Sequence, residues 1–394
     1  MSAAPSIELG RIMAPKMGSV DPSAYPGEEF DLYSIPAFDQ GKPEVLKGSA
    51  IGSAKQIVQT GDVLLSRIVP HIRRAWVVGA ERGRRIIASG EWIVFRGRDF
   101  DPTYLRHMLV CDTFHSEFMR TVSGVGGSLL RARPAYVAKI KIPHPPHHEQ
   151  RRIAEILEKA DALRVQRRAA LAQLDTLTQS IFLEMFGDPD ARHWPLAKIA
   201  DLADQTQGGI RTGPFGSQLL HSEFTDSGIS VLGIDNVVEN EFTWGQRRHI
   251  SEAKYRQLAR YTVRPGDVLI TIMGTLGRCA IVPDDIPTAV NTKHLCCISL
   301  DRGKCLPSFL HAYFLRHPIA RRHLAQKAKG AIMEGLNMGI IKEMPIPLAP
   351  LAMQISFDAK LAQLRDAKKN QQESAERLNA LFKSIQHRAF KGDL

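Results

Sequence analysis

Arginine, lysine, histidine and amide side chains recur at glycine- and proline-rich turns of this chain. Their N–H groups bind phosphates, and arginine also grips guanine through two hydrogen bonds, so these turns suit a nucleic acid. A formal net charge of +11 favours a polyanionic partner. For each side chain the alternative is a solvated surface or an ion pair within its own domain. The candidates are Arg67, His71, Arg73, Arg74, Arg131 and Arg133 in the first half and Arg211, Ser217, Gln218, Thr275, Lys293, His294, Lys329 and Glu334 in the second.

Three of these residues have a more specific chemistry. Gln218 could pair with adenine, although a hydrogen bond within its own loop is an equal alternative. Glu334 could accept a hydrogen bond from cytosine N4, although a solvated surface position is favoured. Ser217 lies in the glycine-rich stretch 208–218, whose backbone N–H groups can approach a phosphate closely.

Motifs of catalysis are absent from the sequence. It contains no phosphate loop of the GxxxxGK[ST] type, and no Asn-Pro-Pro-Tyr or Asp-Pro-Pro-Tyr tetrapeptide that would hold a flipped base. Residues 124–127 are glycine-rich but lack the spacing of a dinucleotide-binding loop. Residues 252–254 have the Glu-x-Lys form seen in nucleases, without a Pro-Asp at a suitable distance. The sequence therefore predicts no catalytic residues.

A metal site is also disfavoured. His144, His147 and His148 lie in a proline-rich segment, and no cysteine or acidic set completes a coordination shell. The five cysteines form no CxxC pair and their number is odd, so we expect reduced, mostly buried thiols. The sequence has no run of about 18 apolar residues and no signal-peptide pattern, so we expect a soluble, cytoplasmic protein.

An internal repeat with an offset of 204 or 205 residues organises the chain. Residues 60–66 and 265–271 share a Gly-Asp followed by an apolar run, and similar matches join the end of each half. Such a long period indicates a duplicated domain rather than a solenoid. The matched positions include Arg73, Ala75 and Val77 with Arg278, Ala280 and Val282, and Gln150 with Gln354.

The sequence pattern of each half predicts a mixed α+β domain followed by a long helix. We assign the first domain to residues 1–146, a helix to 147–187, the second domain to 188–348 and a second helix to 349–394. Short β-like runs bounded by Gly, Pro and Asp predict the strands, and residues 102–121 and 307–327 predict one helix in each domain. The expected fold is two pseudo-repeated domains separated by two long antiparallel helices.

The long helices carry apolar residues at spacings of three and four, which predicts that they cover one another. The first would be about 57 Å long at 1.5 Å per residue. Lys368 and Gln371 interrupt the second stripe and could fix its register. The stripes are Ile153, Ile156, Ala160, Leu163, Ala170, Leu174, Leu177, Ile181 and Met185, and Phe357, Leu361, Leu364, Ala375, Leu378, Phe382, Ile385 and Ala389.

Residues 148–154, 159–163 and 180–189 resemble the central helical region of type I restriction-modification specificity subunits. Residues 213–219 and 264–269 are similar to turns of that family's target recognition domains. The distal helix departs from the pattern, because residues 351–354 read Leu-Ala-Met-Gln where residues 147–150 read His-His-Glu-Gln.

The resemblance implies a subunit without chemistry of its own. Each recognition domain would read one half of a split, asymmetric double-stranded DNA target, and the helices would set the separation. Two methyltransferase subunits using S-adenosylmethionine would dock on the helices, and ATP-driven, Mg²⁺-dependent translocase-nuclease subunits would join them. We place the methyltransferase contacts at Arg151, Arg152, Glu155, Arg164 and Arg168. The alternatives are a single-chain methyltransferase or nuclease, and a helical scaffold that reads no sequence.

Overall fold

The computed structural model describes residues 5–15, 18–124, 130–187, 194–328 and 336–394. They divide into two compact units. Unit 1 is formed by the described residues within 1–169 and 372–394, and unit 2 by those within 170–371. No helix of these described segments is both long and apolar enough to cross a membrane.

Unit 1 combines two sheets with two strand pairs. The larger sheet has the order β2-β5-β8-β3-β4, in which β3 and β8 are parallel and the other neighbours antiparallel. The smaller sheet has the order β7-β6-β9, and β1 pairs with β12 and β10 with β11. The strands are β1 (Ser6–Glu8), β2 (Ser19–Val20), β3 (Glu29–Tyr33), β4 (Glu44–Lys47), β5 (Lys55–Ile57), β6 (Val63–Ser66), β7 (Ala75–Val77), β8 (Arg85–Ala88), β9 (Trp92–Phe95), β10 (Val122–Ser123), β11 (Arg131–Ala132) and β12 (Lys141–Pro143).

The helices of the first half begin and end at recognisable signals. Asp101 caps α2 by accepting hydrogen bonds from the amides of Thr103 and Tyr104, both at 2.9 Å. The helix predicted over 102–121 is divided in two, because the Cys111 side chain accepts from the Phe114 amide and starts a new helix. The helices are α1 (Ile35–Asp39), α2 (Pro102–Met108), α3 (Asp112–Met119), α4 (Pro134–Val137) and α5 (His147–Phe186).

Unit 2 also contains a mixed sheet and an antiparallel one. The mixed sheet has the order β15-β17-β16-β21-β18 with β16 parallel to β21, and the antiparallel sheet has the order β14-β22-β19-β20. A further pair joins β13 to β23. The strands are β13 (Leu196–Lys198), β14 (Ile210–Thr212), β15 (Phe224–Thr225), β16 (Ile229–Leu232), β17 (His249–Ile250), β18 (Thr262–Val263), β19 (Val268–Thr271), β20 (Cys279–Ile281), β21 (Ala289–Asn291), β22 (Leu295–Ile298) and β23 (Pro345–Pro347).

The helix predicted over 307–327 is likewise divided, since Pro318 follows the extended residue His317 and opens a new helix. The remaining helices are α6 (Glu252–Leu258), α7 (Pro307–Arg316), α8 (Pro318–Ala328), α9 (Met338–Lys342) and α10 (Leu351–Lys391).

Each unit includes parts of both long helices in its apolar core. In unit 1, Ile153 and Leu157 of α5 and Phe382 and Phe390 of α10 belong to one buried cluster. In unit 2, Phe182 of α5 packs against Phe357 of α10 with ring centroids 5.6 Å apart. These aromatic and aliphatic contacts bury the helix stripes within the units, as expected for amphipathic helices.

Within unit 1 the two long helices run antiparallel. The Arg152 guanidinium donates to the Leu394 carbonyl at 2.7 Å, and Arg164 donates to the Asn379 amide oxygen, also at 2.7 Å. The stripe on α5 differs from the predicted one, because Leu163 is 51% and Leu177 43% exposed. Sequence spacing identifies an apolar face but does not say how far along the helix another element covers it.

Strand pairing corrects one part of the sequence repeat. Leu65 pairs with Ala75 and Ile270 with Cys279, so the second strand of each hairpin is offset by 204 residues rather than 205. The amide of Ser66 binds the Arg74 carbonyl, and that of Thr271 the Arg278 carbonyl. Arg74, and not Arg73, therefore corresponds to Arg278, because the turn in unit 1 is one residue longer.

Candidate nucleic-acid interface

The turn after β6 and strand β11 bring three candidate residues of unit 1 to the surface, which are Arg67, His71 and Arg131. Arg67 and Arg131 both contact the carboxylate of Glu91, at 3.0 Å from the Arg67 Nε and 3.4 Å from an Arg131 terminal nitrogen. The three side chains are 34%, 45% and 29% exposed, in the order Arg67, Arg131 and Glu91. His71, in the same turn, is also exposed. This arrangement, which we call the Arg67 cluster, presents two guanidinium groups with one compensating carboxylate.

Backbone hydrogen bonds fix the Arg67 cluster from two sides. The Arg67 amide donates to the Glu91 carbonyl at 3.0 Å, and the Ala132 amide donates to the Arg67 carbonyl at 2.8 Å. Ile68 and Arg131 also form an isolated antiparallel bridge. The side chains of the cluster thus project from three segments joined edge to edge.

Arg73 and Arg74 lie next to each other in sequence but face different surroundings. The Arg73 guanidinium donates to the carboxylate of Asp112 and, at 3.1 Å, to the Val110 carbonyl, and it is exposed. The Arg74 guanidinium donates two hydrogen bonds of 2.9 Å to Asp39 and is only 10% exposed. Arg74 is therefore held inside unit 1, whereas Arg73 remains accessible to a ligand.

The positive charge of Arg73 affects its neighbours. Its hydrogen bond lowers the pKa of Asp112 below the ordinary value. Burial, and next the Arg73 charge, lower the pKa of His115. Arg133, farther along, donates to the Ser123 hydroxyl at 2.7 Å and is exposed. Among the residues predicted to contact a nucleic acid in unit 1, the accessible basic groups are the Arg67 cluster, His71, Arg73 and Arg133.

In unit 2, Arg211 is a structural residue by its contacts. Its guanidinium is 11% exposed and binds the Asp267 carboxylate at 3.0 Å, the Ser299 hydroxyl at 2.9 Å and the Thr262 carbonyl at 2.6 Å. Asp267 also accepts the hydroxyl of Ser299 at 2.7 Å. The sequence placed Arg211 in an open loop, but strand β14 carries it along the sheet to this buried carboxylate.

The glycine-rich turn around Ser217 and Gln218 is exposed and tightly folded. The Gln218 side-chain oxygen accepts from the Phe215 amide at 3.3 Å and from the Tyr261 hydroxyl at 2.9 Å. A Cβ atom on Gly213 would stand 2.0 Å from the Asn291 carbonyl oxygen, so only glycine fits there. The hydrogen bond within the loop that was the alternative for Gln218 is present.

Other candidates of unit 2 lie where parallel strands β16 and β21 end. Lys293 and His294 follow β21, and Asp235, paired with Arg248, follows β16. Burial, and then the charges of Lys293 and Arg248, lower the pKa of His294. Thr275 is exposed, and its carbonyl accepts the Thr271 hydroxyl.

Buried polar atoms near these strand ends lack partners among the described residues. They include the side-chain oxygens of Asn291 and Thr292 and the Nε of Arg248. Carboxyl ends of parallel strands are common ligand positions, so Asp235 and Arg248 join the candidates here. No local sequence motif predicts this pair, because Asp235 and Arg248 come together only through the pairing of strands β16 and β17. Lys329 and Glu334 lie outside the described residues.

Neither a metal centre nor a reactive thiol emerges from the described part of the chain. No group of three metal-binding side chains occurs there. His144 instead stacks on the Phe100 ring at 4.6 Å between centroids. All five cysteines are buried, and burial raises the pKa of the Cys296 and Cys305 thiols to about 12. These thiols are protonated at neutral pH and act as core side chains.

No protein-family model matches the chain. A segment of 171 residues is 30% identical to the type I restriction enzyme EcoBI specificity subunit of Escherichia coli. It covers 42% of this chain and 36% of that protein. A longer match of 273 residues is 21% identical to the MjaVIII specificity subunit of Methanocaldococcus jannaschii and covers 65% of this chain and 62% of that protein.

The chain is similar in sequence to type I specificity subunits. Its matches span about one third and somewhat under two thirds of the two curated relatives. Solved structures extend the similarity of fold to the whole chain. A chain from a structure of a type I restriction-modification system assembly aligns over 100% of this chain and 98% of its own length, with a TM-score of 0.65 and 20% identity. The S subunit from M. genitalium aligns over 98% and 96%, with a TM-score of 0.57 and 10% identity.

Helix α5 carries the five residues that the sequence predicts to contact partner subunits. Arg151, Glu155 and Arg168 are exposed, and Arg152 is exposed while paired with Glu149. Arg164 differs, because its guanidinium lies 4.2 Å from the centroid of the Phe382 ring and binds Asp161 and Asn379. Arg164 and Arg152, which donates to the Leu394 carbonyl, thus both contact the C-terminal segment in unit 1, whereas Arg151, Glu155 and Arg168 are exposed on α5.

Proposed function

We propose that this chain is the DNA sequence-specificity subunit of a type I restriction-modification complex. The observation that supports it most is the sequence relationship to two specificity subunits, on a chain whose fold matches such structures over its whole length. Unit 1 presents exposed guanidinium groups on a rigid turn, as readout of base edges and phosphates requires. Each unit contains one recognition domain, and each domain reads one half of a bipartite, asymmetric target.

The two recognition domains, residues 1–146 and 188–348, are two copies of the same domain. Equivalent hydrogen bonds in the two hairpins support this. The Gly61 amide binds the Val78 carbonyl as Gly266 binds Val282, both at 2.9 Å. A second pair of contacts also repeats: the buried side chain of Gln150 accepts from the Asp101 amide, and that of Gln354 from the Leu306 amide. Because of the duplication, the two domains have the same backbone hydrogen bonds at these positions and carry different contact residues.

The helical segments 147–187 and 349–394 form an antiparallel spacer that sets the distance between the half-sites. Support comes from α5 and α10, which are 40 and 41 residues long and contribute to the core of each unit. A helix advances about 1.5 Å per residue, so its length acts as a ruler.

The chain catalyses no reaction itself and instead binds the subunits that do. The outer face of α5, with Arg151, Arg152, Glu155 and Arg168, docks two methyltransferase subunits, and restriction subunits join that complex. S-adenosylmethionine, ATP and Mg²⁺ bind to those partners. The isolated chain therefore neither methylates nor cleaves DNA when these cofactors are supplied, and either activity would favour the single-chain enzyme instead.

A paired insertion tests the spacer. Four helix-forming residues are inserted after Ala169 in α5 and after Gln371 in α10, which lengthens each helix by about 6 Å. Since DNA rises 3.4 Å per base pair, the gap between half-sites should grow by about two base pairs. The chain is assembled with its methyltransferase, and the modified sites are read by methylome sequencing.

Four residues inserted after Arg82, between β7 and β8, provide the control and should leave the gap unchanged. An unchanged gap in the helix variant would remove the spacer from the proposal. Modified sites without a bipartite sequence would overturn the specificity function itself.

A further inference from the structure

In the Arg67 cluster, the Arg67 guanidinium has N–H donors that its contact with Glu91 does not use. Arg67 uses its Nε to bind Glu91, and neither of its two terminal nitrogens has a hydrogen-bond partner among the described residues. The side chain is one-third exposed, so these donors are accessible. Two parallel N–H donors on one guanidinium match the O6 and N7 acceptors of guanine in the major groove.

We propose that Glu91 is a positioning residue, which orients Arg67, with Arg131 beside it, to read one guanine in the half-site bound by unit 1. This rests on the proposed DNA-specificity function. An unrestrained arginine loses rotamer freedom when it is fixed on a ligand. The bond to Glu91 fixes the plane of the Arg67 guanidinium before DNA arrives and so reduces that loss.

The charges of the cluster suit a base contact better than a phosphate contact. Glu91 neutralises one of the two guanidinium charges, which weakens a purely electrostatic attraction to the backbone. Its carboxylate would also repel a phosphate placed beside it. A guanine edge carries no net charge and suffers no such repulsion.

The backbone of the turn supports the same role. Val69, two residues after Arg67, has a φ of 47°, a left-handed conformation that a β-branched residue adopts at a cost. Gly274 occupies the same place in the turn of unit 2, with a φ of 73°, without that cost. Strained positions of this kind concentrate at binding sites, where surrounding contacts hold them.

Unit 2 repeats a backbone hydrogen bond of the Arg67 cluster with different side chains. The Ile272 amide donates to the His294 carbonyl at 2.9 Å, as the Arg67 amide donates to that of Glu91 at 3.0 Å. Ile272 therefore replaces Arg67, and His294 replaces Glu91. Equivalent backbone hydrogen bonds with different side chains at these positions are the arrangement expected where each unit reads a different base.

The test selects binding sites from a library of random DNA duplexes with the full-length chain and sequences the bound fraction. Glu91→Gln and Glu91→Ala are compared with wild type and with Glu117→Gln. The control removes the same charge from an exposed ion pair with Arg120 in unit 1. Arg67→Lys keeps the charge but removes the bidentate edge.

We expect both Glu91 variants to lower the preference for guanine at one position roughly tenfold, and Arg67→Lys to lower it at the same position. The other half-site should stay unchanged, which also shows that the chain is folded. The cluster proposal is overturned if the wild type selects a bipartite sequence and the Glu91 variants keep it, or lose affinity for all duplexes equally. Absence of any preference in the wild type would overturn the specificity function, and this proposal with it.

Discussion

Gln150 joins the start of helix α5 to the segment 99–101 of unit 1 through a fully buried amide. Its oxygen accepts from the Asp101 amide at 2.9 Å, and its nitrogen donates to the carbonyls of Asp99 at 3.0 Å and Pro145 at 2.9 Å. The side chain is 0% exposed. Water therefore does not replace these partners while the unit stays folded.

The variant Gln150→Ala should destabilise unit 1 by about 2 to 4 kcal/mol. The Asp101 amide and the Pro145 carbonyl lose their partners, at about 1 to 3 kcal/mol for each unsatisfied group, and water entering the new cavity offsets part of that loss. The Asp99 carbonyl keeps a second donor, the His144 ring at 3.3 Å. Urea denaturation of the full-length chain measures the change, and hydrogen exchange at the Asp101 amide locates it.

Gln354 provides a matched control in unit 2. It accepts from the Leu306 amide at 2.8 Å and donates to the Lys304 and Ala349 carbonyls at 3.2 and 2.8 Å. We expect Gln150→Ala to speed exchange at Asp101 and Gln354→Ala at Leu306, each without the other effect. An Asp101 amide that remains protected in Gln150→Ala would refute the reasoning, because nothing else in the described structure accepts its hydrogen.

Two further predictions concern stability. Val69→Gly should stabilise the chain by about 1 kcal/mol in thermal unfolding, because glycine adopts a φ of 47° without strain, and loss of stability would show that Val69 packing matters more. His107 is 2% exposed, and burial, followed by the charges of Arg106 and Arg164, lowers its pKa to about 3. The unfolded chain then binds the proton more tightly, so stability should fall as pH drops from about 6.5 towards 3, by about 2 kcal/mol at pH 5. In His107→Gln this loss of stability between pH 6.5 and 5, measured by urea denaturation, should disappear. If the variant loses as much stability as the wild type, His107 is not the group responsible.

The strands could largely be predicted from short apolar runs between turn residues. The runs at 92–95 and 229–232 coincide with β9 and β16, since buried strands bounded by Gly, Pro and Asp carry their own local signal. Helix breaks could be predicted less well. The Pro318 start is visible in the sequence, whereas the new helix after Cys111 depends on a side-chain cap from an unusual residue.

The sequence predicted where basic side chains lie at turns, but it did not predict which of them are buried in ion pairs. Arg73 and Arg74 are neighbours in sequence, and only the register of β7 sends Arg74 inward to Asp39. No sequence motif marks Glu91, because its contacts join it to Arg67 and Arg131, which lie 24 and 40 residues away along the chain.

The paired Gly-Asp turns show the division between sequence and tertiary structure. The sequence by itself determined that Asp62 and Asp267 open equivalent hairpins, because a glycine at positive φ and an adjacent acceptor form a turn locally. Only the tertiary structure decided the partner of each carboxylate. Arg96, directly after β9, binds Asp62, whereas Arg211 of β14 binds Asp267. A buried carboxylate requires a partner of opposite charge. The free energy of that ion pair depends on the distance between the two groups in space, so an arginine at many different positions along the chain can be the partner.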